Sequence, residues 1–487
     1  MSITSALNAA LTGLSATQRQ AEITASNVAN ATTPAYARRE VQLGAAVLAG
    51  TGQGVMVMGI TRQVDQYVLA ERRLAQAGDG DRALRSEFLG KVEASIGSPD
   101  QPGSIGARIA AFDRSLIEAA SRPESEARLA VVANSARSLA SGLAAASQDV
   151  QQARGTADRM IARDVDALNA GLAQVQDINS TLRSFTGLGR DISALLDQRQ
   201  RVIDQISAIV PLREVPRDGN QIALFTTGGV SLLEGTPARF GFTASNTVTA
   251  EMTLAAGGLS GLTVNGRSVD TAGTSSPVLG GRLGALFAVR DDLAVTAQSG
   301  LDAMARDLVE RFGTPAVDPT LAPGDPGLFT DQGAAFLPVN EAGLAGRIKM
   351  NTAADPSQGG ALFRLRDGLQ ATVPGALGSN TLLKNLHLAL SAPRVLSSAG
   401  FAAGNRDMAG LAADVLSDAS TRRLNADSEA SFASARFATL SDLEKQGGVD
   451  TDQEMQMLLV IEKNYAANAK VIQTVSNMID TLMRLGT

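Results

Sequence analysis

The chain has 487 residues, of which 44% are apolar and only 3% aromatic, with no Trp and no Cys. That length and apolar content support about two to four domains with real cores, and the missing Cys excludes disulfides and thiolate chemistry. A formal net charge of −6 is wrong for a general nucleic-acid binder, so no nucleic-acid partner is expected.

The N-terminus opens without a basic region or a continuous apolar stretch, so no cleavable secretion leader is read there. No apolar run reaches the roughly 18 residues of a membrane span, so no membrane partner is expected. Residues 3–30 instead show helical periodicity. Leu7, Leu11, Leu14, Gln18, Ala21, Ala25 and Val28 alternate steps of four and three, the pattern of a coiled-coil seam. Thr32-Thr33-Pro34 should end that helix, because the residue before proline avoids the α region.

Residues 36–43 and 55–60 read as short strands. Helices are predicted from Asp65 to Ala77, over 81–97 and over 104–121. A long Ala-rich helical region follows at 124–186, with a break near Gly155, and then a helix at 189–210. From Pro211 to Pro277 the pattern changes to short β-like runs. Ile222–Thr226 and Val230–Leu233, joined by Thr-Gly-Gly, read as a hairpin. Helix returns at 282–312. Residues 314–380 are Pro/Gly-rich with a strand at Arg347–Met350, and 404–440 are helical again.

The C-terminus mirrors the start. Leu458, Ile461, Tyr465, Asn468, Ile472, Val475, Ile479 and Leu482 alternate steps of three and four, after Gly447-Gly448 and a capping Asp450 or Thr451. Such a helix would run about 54 Å. Lys and Glu are scarce opposite both stripes, so these helices can pack against further copies without desolvating charges. The candidate assembly residues are therefore Leu7, Leu11, Leu14, Ala21, Ala25 and Val28 at one end. At the other they are the stripe from Leu458 to Leu482.

The fold class expected is mainly α with an inserted β domain, with the two terminal helices pairing as a coiled coil outside a helical bundle. Seven segments are expected. An N-terminal assembly helix and connector (1–75) precedes a helical domain (76–210) and a β-rich insertion (211–280). A return helix (281–312), a Pro/Gly-rich mixed segment (313–400), a second helical return (401–447) and a C-terminal assembly helix (448–487) follow.

Catalytic and metal signatures are lacking. His387 is the single histidine, set in an apolar run, which excludes Cys–His catalysis and the usual zinc sets. No Gly-x-Ser-x-Gly elbow supports a Ser-His-Asp triad. Asp291 and Asp292 are adjacent, so on a helix they face different ways. Asp325 and Asp331 do not fit the EF-hand spacing. The clusters Gly52-x-Gly54, Gly257-Gly258 and Gly280-Gly281 complete neither phosphate-loop nor dinucleotide motifs. No catalytic, cofactor-binding or metal residue is assigned, and no cofactor.

The two ends resemble the signatures of flagellar rod and hook axial proteins. At the N-terminus the matching elements are Gly13-Leu14, Gln18, Asn27-Val28-Ala29-Asn30, Thr33-Pro34 and Tyr36. The family places Gly after that proline. Here it is Ala35, which weakens the expectation of a positive φ. At the C-terminus the resemblance rests on Gly448-Val449-Asp450, Glu454 and Asn464 to Ile472. Within the family, Gly54-Val55, Gly59 to Arg62, Asp65 to Leu69, Leu195-Leu196-Asp197-Gln198-Arg199, Phe225 to Gly229 and Gly280 to Leu286 resemble the hook-associated branch. Residues 313–440 match loosely, chiefly at Gly327 to Thr330.

The resemblance implies a non-enzymatic structural protein, exported by the flagellar type III apparatus and located extracellularly in the bacterial flagellum, at the junction of hook and filament. It implies self-association in a ring or helical layer. The implied partners are hook protein, a second junction protein or filament subunits, and an export chaperone. The alternatives are a hook or distal rod protein, an enzyme fused to axial helices, or a cytosolic coiled-coil signalling protein.

Overall fold

Thr32-Thr33-Pro34 does stop the first helix, α1 (Ile3–Ala29), just short of the proline. The computed structural model describes residues 3–48, 51–188, 190–273, 276–401 and 404–485. Its architecture is mainly helical with small inserted sheets. The chain divides into two compact units.

The first unit comprises Met1–Asp79, Asp166–Arg239 and Phe432–Thr487. Here α1 packs on the last helix, α12 (Thr451–Leu485). Strands β1 (Arg39–Leu48) and β2 (Thr51–Arg62) form an antiparallel hairpin that also lies on α1. Close approach is built in at Gly54, whose φ is +103° and where any Cβ would collide with Thr12 and Ala9. Helix α2 (Gln66–Ile96) starts in this unit, as does the second part of α4 (Glu126–Gly187). Leu168, Leu172, Val175 and Leu182 on α4 are buried, as are Val202, Ile203 and Ile206 on α5 (Ser193–Ile209). Gly171 lets α5 approach, since a Cβ there would sit 2.9 Å from Ile206. Strands β3 (Leu212–Arg217), β4 (Gln221–Thr226), β5 (Ser231–Glu234) and β6 (Thr236–Pro237) form one antiparallel sheet in sequence order.

The second unit comprises Gly80–Val165 and Phe240–Ser431. Ser104 caps α3 (Ile105–Ser121) by accepting from the Ala107 N–H. A second, three-stranded sheet joins β7 (Phe240–Gly241), β8 (Thr263–Val264) and β9 (Arg267–Ser268). A π-helical turn, Val289–Leu293, separates α6 (Arg282–Ala288) from α7 (Ala294–Phe312). Short elements follow: β10 (Phe329–Asp331) pairs with β11 (Ile348–Met350), with α8 (Leu344–Arg347) and α9 (Arg364–Asp367) nearby in sequence. Then come α10 (Thr381–Ser391), the β12–β13 pair (Arg394–Val395 with Asn405–Arg406) and α11 (Met408–Gln446). The core centres on Phe112, Phe312 and Phe329, whose ring centroids lie 5.5–6.0 Å apart at steep angles.

A buried polar knot holds the inserted β segment of this unit. Arg154, 1% exposed, donates to the carbonyls of Arg290, Thr249 and Met252 at 2.6–2.9 Å. Arg290 pairs with Asp158 at 2.7 Å and with Asp291, between the rings of Phe242 and Phe287.

Three local expectations need correction. The predicted break near Gly155 is absent, because α4 runs through it with Val150, Ala157 and Ile161 buried on either side. The helices expected before Ala77 and after residue 81 are one continuous α2, since packing of Ala75, Ala77 and Phe88 overrides the low propensity of the Gly-Asp-Gly-Asp run. Ala35 has φ of +61° despite its Cβ. The helix expected at 189–210 starts on residue 189, which lies outside the described residues. It is helical from Ser193. By length and composition α4 is apolar enough to cross a membrane, but Leu129, Val132, Leu139, Leu143 and Leu168 are all buried within the protein.

Candidate assembly site at the paired chain ends

The helices α1 and α12 run antiparallel. Gly13 lies beside Asn468, and Asn27, further along α1, meets Glu454, equally far back along α12. A Cβ on Gly13 would sit 2.9 Å from the Asn468 amide, so glycine sets the spacing of the two helices there.

On α12 the predicted stripe largely coincides with the face turned inward. Ile461 and Val475 are buried, and Leu458, Asn468 and Ile472 are half-buried. Tyr465, Ile479 and Leu482 are exposed. On α1 the predicted Leu7, Leu14, Ala21 and Val28 are half-buried, while Leu11 and Ala25 are exposed. The buried face of α1 is made of smaller or polar residues: Ala10, Ala16, Thr17, Ile23, Thr24 and Asn27. Thr17 can sit there because its hydroxyl returns to the helix carbonyls of Gly13 and Leu14.

The end of this seam is a polar hub. Asn27, 1% exposed, uses its full hydrogen-bonding capacity. Its amide nitrogen donates to the Arg39 carbonyl at 2.9 Å and to Glu454 at 3.1 Å. Its amide oxygen accepts from the Tyr36 hydroxyl at 2.9 Å and the Arg39 N–H at 3.0 Å. Glu454 also accepts from Arg38 Nε at 2.6 Å. Burial opposes the charge on Arg38, yet bonds to Glu454 and Glu40 outweigh it and hold its pKa above the ordinary value.

From the hub the contacts extend to the base of the hairpin. Asp197 on α5 accepts from Arg39 and from Arg62, both at 2.6 Å, tying the start of β1 to the end of β2. The Arg39 guanidinium also stacks over Tyr36, 4.8 Å from the ring centroid. The sequence resemblance quoted Asn27, Tyr36, Arg62, Asp197 and Glu454, but periodicity alone assigned them no role. Asn27 lies one position off the periodic stripe, beside Val28, so periodicity attached no weight to it.

Much of α12 remains uncovered. Met455, Met457, Leu459, Val460 and Met483 are between 42% and 70% exposed. Apolar residues thus occur on its outer side as well as on its inner face. Elsewhere, His387 Nδ1 lies 2.6 Å from Asp113 Oδ1, joining α10 to α3. Asp291 is engaged by Arg290, and Asp292 is exposed. Among the described residues no group of three or more His, Cys, Asp or Glu side chains is placed to hold a metal ion.

Comparison with known proteins bears on the same regions. Residues 89–316 match the model of the "Flagellar hook-associated protein FlgK helical domain". Residues 7–36 match "Flagella basal body rod protein", and 445–485 match "Flagellar basal body rod FlgEFG protein C-terminal". "Flagellar hook-associated protein 1" of Escherichia coli is 25% identical over 244 residues, covering 49% of this chain and 44% of that protein. The Bacillus subtilis protein of the same name is 26% identical over 239 residues, covering 46% of this chain and 47% of its own. The matched stretch thus spans less than half the length of these relatives. A solved structure of the flagellar hook junction protein FlgK from Burkholderia pseudomallei aligns with a TM-score of 0.44 at 20% identity, over 54% of this chain and 46% of that one.

Proposed function

We propose that this chain, whose middle matches the FlgK helical-domain model and whose two ends match the rod-protein models, is a structural subunit of the junction between hook and filament. The observation that carries this reading is α12. Its inner face is occupied by α1, while Met455 and Leu459 on the opposite side and Val460 on the flank are exposed in the single chain. A single copy leaves that apolar surface wet. A ring or helical layer of copies in head-to-tail contact buries it.

The central FlgK domain favours the junction over rod or hook, because the terminal signatures are the part shared with rod proteins. In this reading the subunit leaves the cell through the flagellar type III apparatus, escorted by an export chaperone, and works outside it. It contacts hook protein on one side and a second junction protein or filament subunits on the other. It performs no catalysis. His387 pairs with Asp113 as a helix-to-helix contact, and Asp291 serves the Arg290 knot.

Deleting the gene tests this directly. The expected strain has complete hooks, no filaments, and filament protein released into the medium. Long filaments on that strain would reject the junction role. A loss of motility from His387→Gln, in a protein that folds and incorporates, would reopen the enzymatic alternative.

A further inference from the structure

Helix α11 changes character along its length. Its first part inserts Met408, Leu411, Ala412, Val415 and Ala419 into the core at helical spacing. Among the described residues, no side chain between Ala419 and Glu454 is buried. What holds the remainder of α11 to α2 is polar. In the second unit Ser420 donates to Glu93 at 2.6 Å, and Arg423 pairs with Glu93. Ser86 donates to Asp427 and Arg82 to Glu429, both at 2.5 Å. In the first unit Arg436 pairs with Glu71 at 2.9 Å and Glu444 with Arg72 at 2.7 Å. Along this stretch Ala426, Ala430, Ala433, Phe437 and Leu440 are half-buried, while Leu424 and Phe432 are exposed.

We propose that residues 420–446 form an electrostatic strap, which ionic strength releases from α2 while the core stays folded. Exposed or half-exposed ion pairs, here Arg423–Glu93, Arg82–Glu429 and Arg436–Glu71, contribute little each, and their range shrinks from about 10 Å in 0.1 M salt to about 3 Å in 1 M. Arg72 is buried and keeps its second partner, Asp204, when Glu444 leaves. Apolar burial does not weaken under the same change, so the two parts of one helix respond differently. Release withdraws no fully buried side chain of α11, because none lies beyond Ala419 on that helix. The strap is therefore a separate opening unit, of the low-stability kind that local exchange detects. This inference is independent of the proposed role at the junction.

The test is hydrogen exchange of the full chain, read by mass spectrometry in dilute buffer and in 1 M NaCl. Amides of 420–446 should exchange about tenfold faster in high salt, with those of 408–419 unchanged. The triple variant Glu71→Gln, Arg82→Gln, Glu93→Gln should show the fast rate already in dilute buffer and lose its salt response. Replacing the Ser86–Asp427 contact by Leu at both positions should slow exchange in 1 M NaCl. Equal rates at the two salt concentrations would overturn the proposal. So would salt accelerating 408–419 as much as 420–446.

Discussion

Asn27 and Glu454 stand 427 positions apart in the chain, and their side chains meet at 3.1 Å with each residue 1% exposed. This contact sets the register of the two terminal helices in a way that an apolar seam does not. A stripe of Leu and Ala tolerates slippage by a heptad. A buried amide that must satisfy Glu454, Arg39 and Tyr36 together permits one alignment. A buried polar residue that fixes the register of a coiled coil is a known use of such groups.

Replacing Asn27 should therefore be costly out of proportion to its size. Asn27→Leu leaves the Arg39 N–H and carbonyl without their partners, and the Tyr36 hydroxyl loses an acceptor. The expected loss is about 2–4 kcal/mol, read as a shift in urea midpoint. Asn27→Asp tests the charge. Two carboxylates would then face each other, and like charges raise one another's pKa. The folded form would bind protons more tightly than the unfolded chain, so the variant should regain stability as pH falls from 7 toward 5. A variant equally unstable at both pH values would argue against the direct Asn27–Glu454 contact.

Much of this architecture is legible in the residues. The alternating steps from Leu458 to Val475 mark most of the inward face of α12, because an antiparallel partner buries or half-buries Leu458, Ile461, Asn468, Ile472 and Val475, with Tyr465 left exposed. The hairpin of β4 and β5 follows from Thr-Gly-Gly between two apolar runs. On α1 the same method selects Leu7, Leu11 and Leu14, yet the buried face is Ala10, Ala16, Thr17 and Asn27. Periodicity weighs side chains by hydrophobicity, whereas close helix approach at Gly13 rewards small ones. The hub is equally hard to read, since it joins residues from α1, the hairpin, α5 and α12 that only the tertiary fold brings together. The continuity of α2 and α4 through glycine has the same cause, because buried neighbours override local propensity.

Ala35 offers a test in the opposite direction. It occupies the left-handed region, at φ of +61°, directly after Pro34. A Cβ in that conformation costs about 1–2 kcal/mol, part of which glycine returns as entropy of the unfolded chain. Ala35→Gly should therefore raise stability by about 0.5–1 kcal/mol, seen as a higher thermal midpoint. A destabilised Ala35→Gly would mean that the Ala35 methyl makes contacts worth more than its strain.

Asp302 makes the second unit sensitive to pH. Burial pushes its carboxyl up to about 6, against N–H groups of Ala345 and Gly343, the Gln298 amide and the Arg347 charge, which favour ionisation. The unfolded carboxyl titrates near 3.9, so the folded form holds the proton more tightly. Stability from this group is fully present below about pH 4 and is lost as pH rises through about 6. Two pKa units correspond to about 2–3 kcal/mol at most. Urea midpoints measured across pH 4.5–7 should carry this slope in the wild type, and Asp302→Asn should lack it. An unchanged slope in the variant would assign the pH dependence to other groups.

The proposed assembly role divides α12 into two faces, and a pair of neighbouring substitutions separates them. Ile461 is 4% exposed and faces inward, whereas Leu459 is 58% exposed. Ile461→Asp buries an unpaired carboxylate within the single chain, so it should lower the stability of the free subunit by several kcal/mol. Ile472→Asp and Leu14→Asp, at half-buried positions, should act in the same direction but more weakly. Leu459→Asp meets water in the free subunit, so the urea midpoint should move by no more than about 0.5 kcal/mol. In a ring that buries the outer face, that same carboxylate is desolvated in every copy, and incorporation should fail. The measurement is a pair of blots, one of isolated hooks and one of the culture medium. Leu459→Asp should be secreted normally and be missing from the hooks. If it incorporates like the wild type, the outer row of α12 is not the surface that joins one subunit to the next.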